Sequence, residues 1–332
     1  MMDNKMWALM VRLSVNIGGI KEPELKFDED FWHYVVDESE KAGINTIVLD
    51  VGDGIEFACC PEIAVKGAWS KKKLRDEMEL CKKKGITLIP KLNFSTAHHI
   101  WLGEYARMVS TSVYYKLCSN LIKEVYELFD HPQYIHIGMD EENAKCCRGR
   151  QLVVYRQKEL YWHDIRFFID CVRETGAKPW MWHCPLFDYG DEYEKHIDAD
   201  EAIISPWYYL GIREENYTSL EVWPEYYCPY YKQEQFVKMN LKYVEEDPIF
   251  ADVRKGMEKI VKSDFKYIPC ASVFNRCKNN ALDLLEFFKK NAPDDKVLGY
   301  MTTPWYKTLP ESKEYFDETF KTFKEAKEKY YG

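Results

Sequence analysis

Short apolar runs alternate with amphipathic stretches from one end of the chain to the other. Runs expected to form strands lie at 7–15, 46–51, 86–92, 134–139, 180–184, 202–207, 267–273 and 297–302. Stretches with apolar residues at helical spacing lie between them, at about 28–42, 70–84, 112–129, 153–175, 192–197, 281–290 and 311–330. Gly43, Gly85 and Gly176 follow three of these and read as helix stops. Repeated strand–helix units predict an α/β fold, a single-domain (β/α)8 TIM barrel filling residues 1–332. A doubly wound open sheet competes, but Ile17-Gly18-Gly19 after the first strand is not the glycine-rich phosphate turn that fold uses. An irregular stretch at about 211–264, containing Trp223 to Tyr231, reads as an insertion. It is expected to pack on the barrel, to cover the site as a lid, or to join two copies in a homodimer.

Composition narrows the function. The formal charge is −9 and no basic stripe appears, which argues against a nucleic-acid partner. No run of about 20 apolar residues is present, so no membrane partner is expected. Aromatic residues make up 15% of the chain, enough to supply sugar-stacking faces as well as a core. The 11 cysteines include the adjacent pairs Cys59-Cys60 and Cys146-Cys147 but no C-x-x-C spacing. Neither a metal nor a cofactor is therefore expected, and the cysteine usage points to a reducing, cytoplasmic compartment.

In a barrel of this kind the chemistry sits on the loops that follow the strands. The fourth run is the most informative: Tyr134-Ile135-His136-Ile137-Gly138-Met139 ends in Asp140-Glu141-Glu142. Adjacent carboxylates at the end of a buried strand push one another's pKa values apart, which suits a glycosidase that keeps one acid protonated and its neighbour charged. The plain alternative is a solvated strand end. Strands seven and eight end without an acid, in Phe274-Asn275-Arg276 and Thr302-Thr303-Pro304-Trp305. A two-carboxylate mechanism would have to recruit Asp50, Asp53 or Asp188. A substrate-assisted mechanism needs no enzyme nucleophile, because the sugar's 2-acetamido oxygen attacks its own anomeric carbon. Asp140-Glu141 supplies what remains, a general acid and a carboxylate for the acetamido N–H.

The sequence resembles the family 20 glycoside hydrolases, the β-N-acetylhexosaminidases. Their His-x-Gly-Gly-Asp-Glu signature is matched by His136-Ile137-Gly138-Met139-Asp140-Glu141. Asp53-Gly54, Pro61-Glu62-Ile63, Gly67-Ala68-Trp69 and Gly85-Ile86-Thr87-Leu88-Ile89-Pro90 follow the family's order of motifs, so the likeness is concentrated in residues 40–142. Lys91 and Asn93 stand where the family has acids, His98 is one position late, and Trp305-Tyr306-Lys307 replaces Trp-x-Glu. The resemblance implies a retaining, substrate-assisted hydrolase releasing terminal N-acetylhexosamine from an amino-sugar glycan.

It also implies roles. Glu141 becomes the general acid and base, with Asp140 orienting the acetamido group. Glu142 is the alternative acid, because a regular strand would put it on the face of Asp140. Trp182, Trp207 and Trp305 would wall the pocket. Tyr208 or Tyr209 would donate to the acetamido oxygen. His98 or His99 would order the acids, and His136 reads as a hydrogen-bonded barrel residue. Asp53 would meet sugar hydroxyls or cap a turn. Arg12, inside the first strand, would meet the substrate or pair with an internal acid such as Asp50. Two rivals remain: a glycosidase for another sugar using two carboxylates, and an inactive barrel that only binds glycans or a protein.

Overall fold

A computed structural model describes residues 5–17, 22–143, 147, 154–184, 190–209, 256–274 and 279–332. Most of the predicted insertion, Asp188, Asn275 and Arg276 lie outside these residues.

Nine parallel strands form one sheet: β1 Met6–Arg12, β2 Thr46–Asp50, β3 Thr87–Lys91, β4 Tyr134–His136, β5 Lys178–Trp182, β6 Ile203–Ser205, β7 Trp207–Tyr208, β8 Cys270–Ser272 and β9 Gly299–Thr303. Their spatial order is β6-β5-β4-β3-β2-β1-β9-β8-β7. β6 and β7 are two pieces of one stave, separated by Pro206. The first piece pairs with β5 and the second with β8, and this closes the barrel. Proline brings no N–H to a ladder, but its carbonyl still accepts from the Cys270 N–H at 2.8 Å. Eight staves therefore make the ring, as the alternating pattern predicts.

Helices α1 Glu29–Lys41, α2 Lys71–Lys83, α3 Ser112–Leu128, α4 Lys158–Thr175, α5 Asp191–His196, α6 Asn280–Asn291 and α7 Lys313–Tyr331 are the main helical elements among the described residues. Asp28, Ser70 and Thr111 cap the first three by accepting from backbone N–H groups one turn on. Gly176 ends α4 in the left-handed conformation. Strand residues alternate between two cores. Leu9, Ile47, Leu49 and Ile135 pack outward against the helices. Ala8, Met10, Val48, Ile89, Trp180 and Met301 fill the lumen.

Two strands end earlier than their apolar runs suggest. β1 stops at Arg12, so this arginine is the last residue of the strand, as its place inside the first apolar run predicts, and lies at the carboxyl end of the stave. β4 stops at His136 because Gly138, Met139 and Glu141 all take positive φ, breaking the two-residue alternation. A stretch of 3-10 helix at His99–Arg107, not foreseen from the pattern, follows the loop after β3.

Candidate active site

The lumen carries one polar layer. Arg12, Asp50, Lys91 and His136 are register partners across β1 to β4. Lys91 Nζ donates to Asp50, and both side chains are 2% exposed. The internal partner of Asp50 is thus Lys91. Arg12 is half-buried, and its Nε has no hydrogen-bond partner among the described residues. His136 accepts the Gly138 N–H at Nδ1, 3.0 Å away. Burial, and behind it the Lys91 charge, hold its pKa well below the ordinary histidine range. The neutral ring therefore carries its proton on Nε2, a buried donor with no partner among the described residues.

Above this layer the chain leaves β4 in a tight, left-handed path. A Cβ on Gly138 would lie 2.1 Å from Asn93 Oδ1 and 2.8 Å from Asn93 Cα, and φ there is +75°. Close approach and backbone sign both demand glycine. Gly138→Ala is expected to cost about 1–3 kcal/mol from the backbone alone, with the clash in addition. Thermal unfolding should record a lower Tm, and any folded fraction should have lost its acid geometry.

The path turns Asp140 and Glu141 toward a common neighbour. His98 Nε2 lies 3.3 Å from Asp140 Oδ2 and 3.1 Å from Glu141 Oε2. Asn93 donates to Asp140 Oδ1 at 2.8 Å, and Ser95 donates to the Asp140 carbonyl. Asn93 is held in turn through its own carbonyl, which accepts from the Trp101 indole at 2.8 Å. Asp140 is 15% exposed and Glu141 38%, so the second carboxylate is the one open to solvent. His98, Asp140 and Glu141 offer ligand atoms within 4.8 Å of one another, a donor set that would also suit a cation.

Glu142 is placed differently. It is fully buried and salt-bridged to Arg156, with Thr96 N–H donating to it at 3.0 Å. Both of its oxygens are occupied, which separates it from Asp140 and Glu141. Asp53 is also buried and occupied: it accepts from Ser14 Oγ at 2.8 Å and Val15 N–H at 3.0 Å, and from the Asn16 amide. It ties down the loop after β1 and does not point a free carboxylate into the mouth. His99 is buried apart from the acids, and burial, then the Arg156 charge, bring its pKa down to about 3.

Trp182, Trp305, Tyr209 and Trp207 form a chain of ring contacts. Trp182 and Trp305 have ring centroids 5.9 Å apart, Trp305 and Tyr209 6.2 Å, and Tyr209 and Trp207 5.0 Å in a stacked pair. The Trp182 ring also packs edge-on against His136 at 4.8 Å, and its indole N–H is an unpartnered buried donor among the described residues. Alternation puts Trp207 and Tyr209 beside the lumen residues, whereas Tyr208 packs outward. Of the two tyrosines, Tyr209 is the one beside the lumen. Burial, reinforced by the Cys270 and Asp140 charges, pushes the Tyr209 phenol well above its ordinary range, so it stays a donor. Cys184 joins the two halves of the site. Its sulfur accepts from the Trp207 indole at 3.2 Å, and burial, then Asp140, raise its thiol pKa. The sequence assigns no role to Cys184 or Ser95, and marks Asn93 only as standing where the family has an acid.

No protein-family model and no curated protein matches this sequence. Solved structures do match. Dispersin B is 14% identical with a TM-score of 0.62, covering 99% of this chain and 100% of that one. A β-N-acetylhexosaminidase from Bacteroides fragilis is 13% identical with a TM-score of 0.60, over 91% of this chain. A family 20 β-N-acetylhexosaminidase from Streptomyces coelicolor is 12% identical with a TM-score of 0.60, over 95%. The chain spans 60% and 63% of the length of the last two. At these identities the likeness establishes the barrel fold.

Proposed function

We propose that the chain is a retaining glycoside hydrolase that releases terminal N-acetylhexosamine from oligosaccharides or glycoconjugates by substrate-assisted attack. One observation carries this reading: Asp140 and Glu141 stand side by side at the end of β4 around His98, next to an aromatic wall. Asp50, Asp53 and Glu142 are all engaged elsewhere.

The steps follow from that arrangement. The acetamido oxygen attacks the anomeric carbon and forms an oxazolinium ring. The glycosidic bond breaks as Glu141 gives its proton to the departing oxygen. Asp140 accepts the acetamido N–H and stabilises the positive charge that grows on nitrogen. Tyr209 donates to the acetamido oxygen and aims it, while Trp182, Trp207 and Trp305 face the methyl group and the sugar ring. Arg12, at the end of β1, reaches sugar hydroxyls. Glu141, now a carboxylate, removes a proton from water as it opens the ring, so the anomeric configuration is retained. No metal or cofactor enters these steps. The described cysteines are free thiols, in keeping with a reducing, cytoplasmic setting.

Hydrolysis of an aryl N-acetyl-β-hexosaminide, followed by proton NMR, is expected to give the β-anomer first. A thiazoline analogue of the oxazolinium should inhibit competitively. First release of the α-anomer, or equal turnover of glycosides that lack the 2-acetamido group, would overturn the mechanism.

A further inference from the structure

Resting on the acid-pair reading above, we infer that Arg156 is a positioning residue for the proposed hydrolysis, locking the loops that carry His98, Asp140 and Glu141 into one rigid unit. The guanidinium is fully buried, and its hydrogen bonds among the described residues serve that end. Its Nε donates to Glu142 Oε1 at 2.7 Å, and its Nη2 is paired with the other oxygen of the same carboxylate. Its backbone N–H also donates to Glu142 Oε1, at 2.9 Å. Glu142 is covalently next to Glu141, so this fork fixes the far end of the strained 138–142 path. Arg156 Nη2 also donates to the Phe94 carbonyl at 2.9 Å, and Glu142 accepts from Thr96 N–H at 3.0 Å. Those contacts hold the loop after β3 on both sides of Ser95, which itself supports Asp140. The third anchor is Asp164 on α4, 3.1 Å from Nη1, which is kept in place by Ser110 at 2.7 Å and by the Tyr115 hydroxyl. His98 reaches its two acids from one loop, while the acids ride on the other. Arg156 binds both loops with one side chain.

A planar fork with several donors does this in a way that a lysine cannot. A buried fork that served stability alone would make unfolding easier when lost, but would leave the chemistry of the folded enzyme unchanged. The two roles are therefore separable. Misplacing a catalytic group by about 1 Å costs up to about 100-fold in rate.

The test is Arg156→Lys in the full chain. The folded variant is expected to lose roughly 10–100-fold in kcat with KM changed less than about threefold, and the limbs of its pH–rate profile should move. The His98 imidazole, followed by nitrogen-15 NMR, should titrate differently from wild type, because its distances to Asp140 and Glu141 have changed. A folded Arg156→Lys protein with wild-type kcat, pH profile and His98 titration would overturn the inference. The NMR measurement needs no turnover. An altered His98 titration in a chain that hydrolyses no aminosugar glycoside would sink the hydrolase reading and leave the clamp standing. If Arg156→Lys does not fold, the charge-free pair Glu142→Gln with Arg156→Gln replaces it under the same readouts. Failure of both to fold would reduce Arg156 to a residue of the fold and overturn the inference as well.

Discussion

Glu141→Gln is expected to lower kcat on an aryl N-acetyl-β-hexosaminide by about 100- to 10,000-fold, the usual range for removing a positioned general acid or base. The amide keeps the shape of the side chain and its approach to His98, but it has no acid proton to give and is not a base. Both halves of the proposed reaction lose their proton carrier. A well-activated aryl leaving group should soften the loss in the first step and leave the water-dependent step slow. Stability should change little, because Glu141 is 38% exposed and its imidazole contact is an open one. Steady-state kinetics and a thermal melt separate the two effects. Unchanged turnover in a protein of unchanged Tm would reject the assignment of Glu141, and with it the proposed mechanism.

The largest expected effect on stability lies deeper in the barrel. Lys91→Met is expected to cost about 3–5 kcal/mol, because it leaves the Asp50 carboxylate buried without its partner. Asp50→Leu alone should behave alike, since it strands the ammonium. The double change Asp50→Leu with Lys91→Met should recover most of the loss, because two apolar side chains of similar bulk suit a lumen already lined by Met10, Val48 and Ile89. Chemical denaturation of the three variants measures this directly. Single variants within about 0.5 kcal/mol of wild type, the range of ordinary surface changes, would show that the pair is not closed to water.

Much of this was legible in the chain itself. Apolar runs bounded by glycine and capped helices marked the staves and their order, because a closed parallel barrel requires strand and helix to alternate. The acid run after the fourth strand and the tryptophans at three strand ends also stood out, since side-chain alternation and strand ends are local properties. What did not show was anything decided by the backbone turning or by distant partners. The positive φ values at Met139 and Glu141 separate Glu142 from its neighbours, against the two-residue rule that would have grouped it with Asp140. Arg156 lies 14 residues past Glu142, within the stretch whose spacing predicts the fourth helix, and nothing in the sequence ties the two together. Lys91 inside an apolar strand was a signal that some buried acid must answer it, but only the register across β2 and β3 identifies Asp50. Asn93, which reads as a departure from the family's acids, turns out to hold Asp140 through its amide.

The ion pair beneath the pocket also limits how this lineage could have diverged. A lysine at position 91 depends on the opposite charge across the ladder, and exchanging either member singly takes a large share of the stability of a marginally stable fold. Positions 50 and 91 thus act as one heritable character.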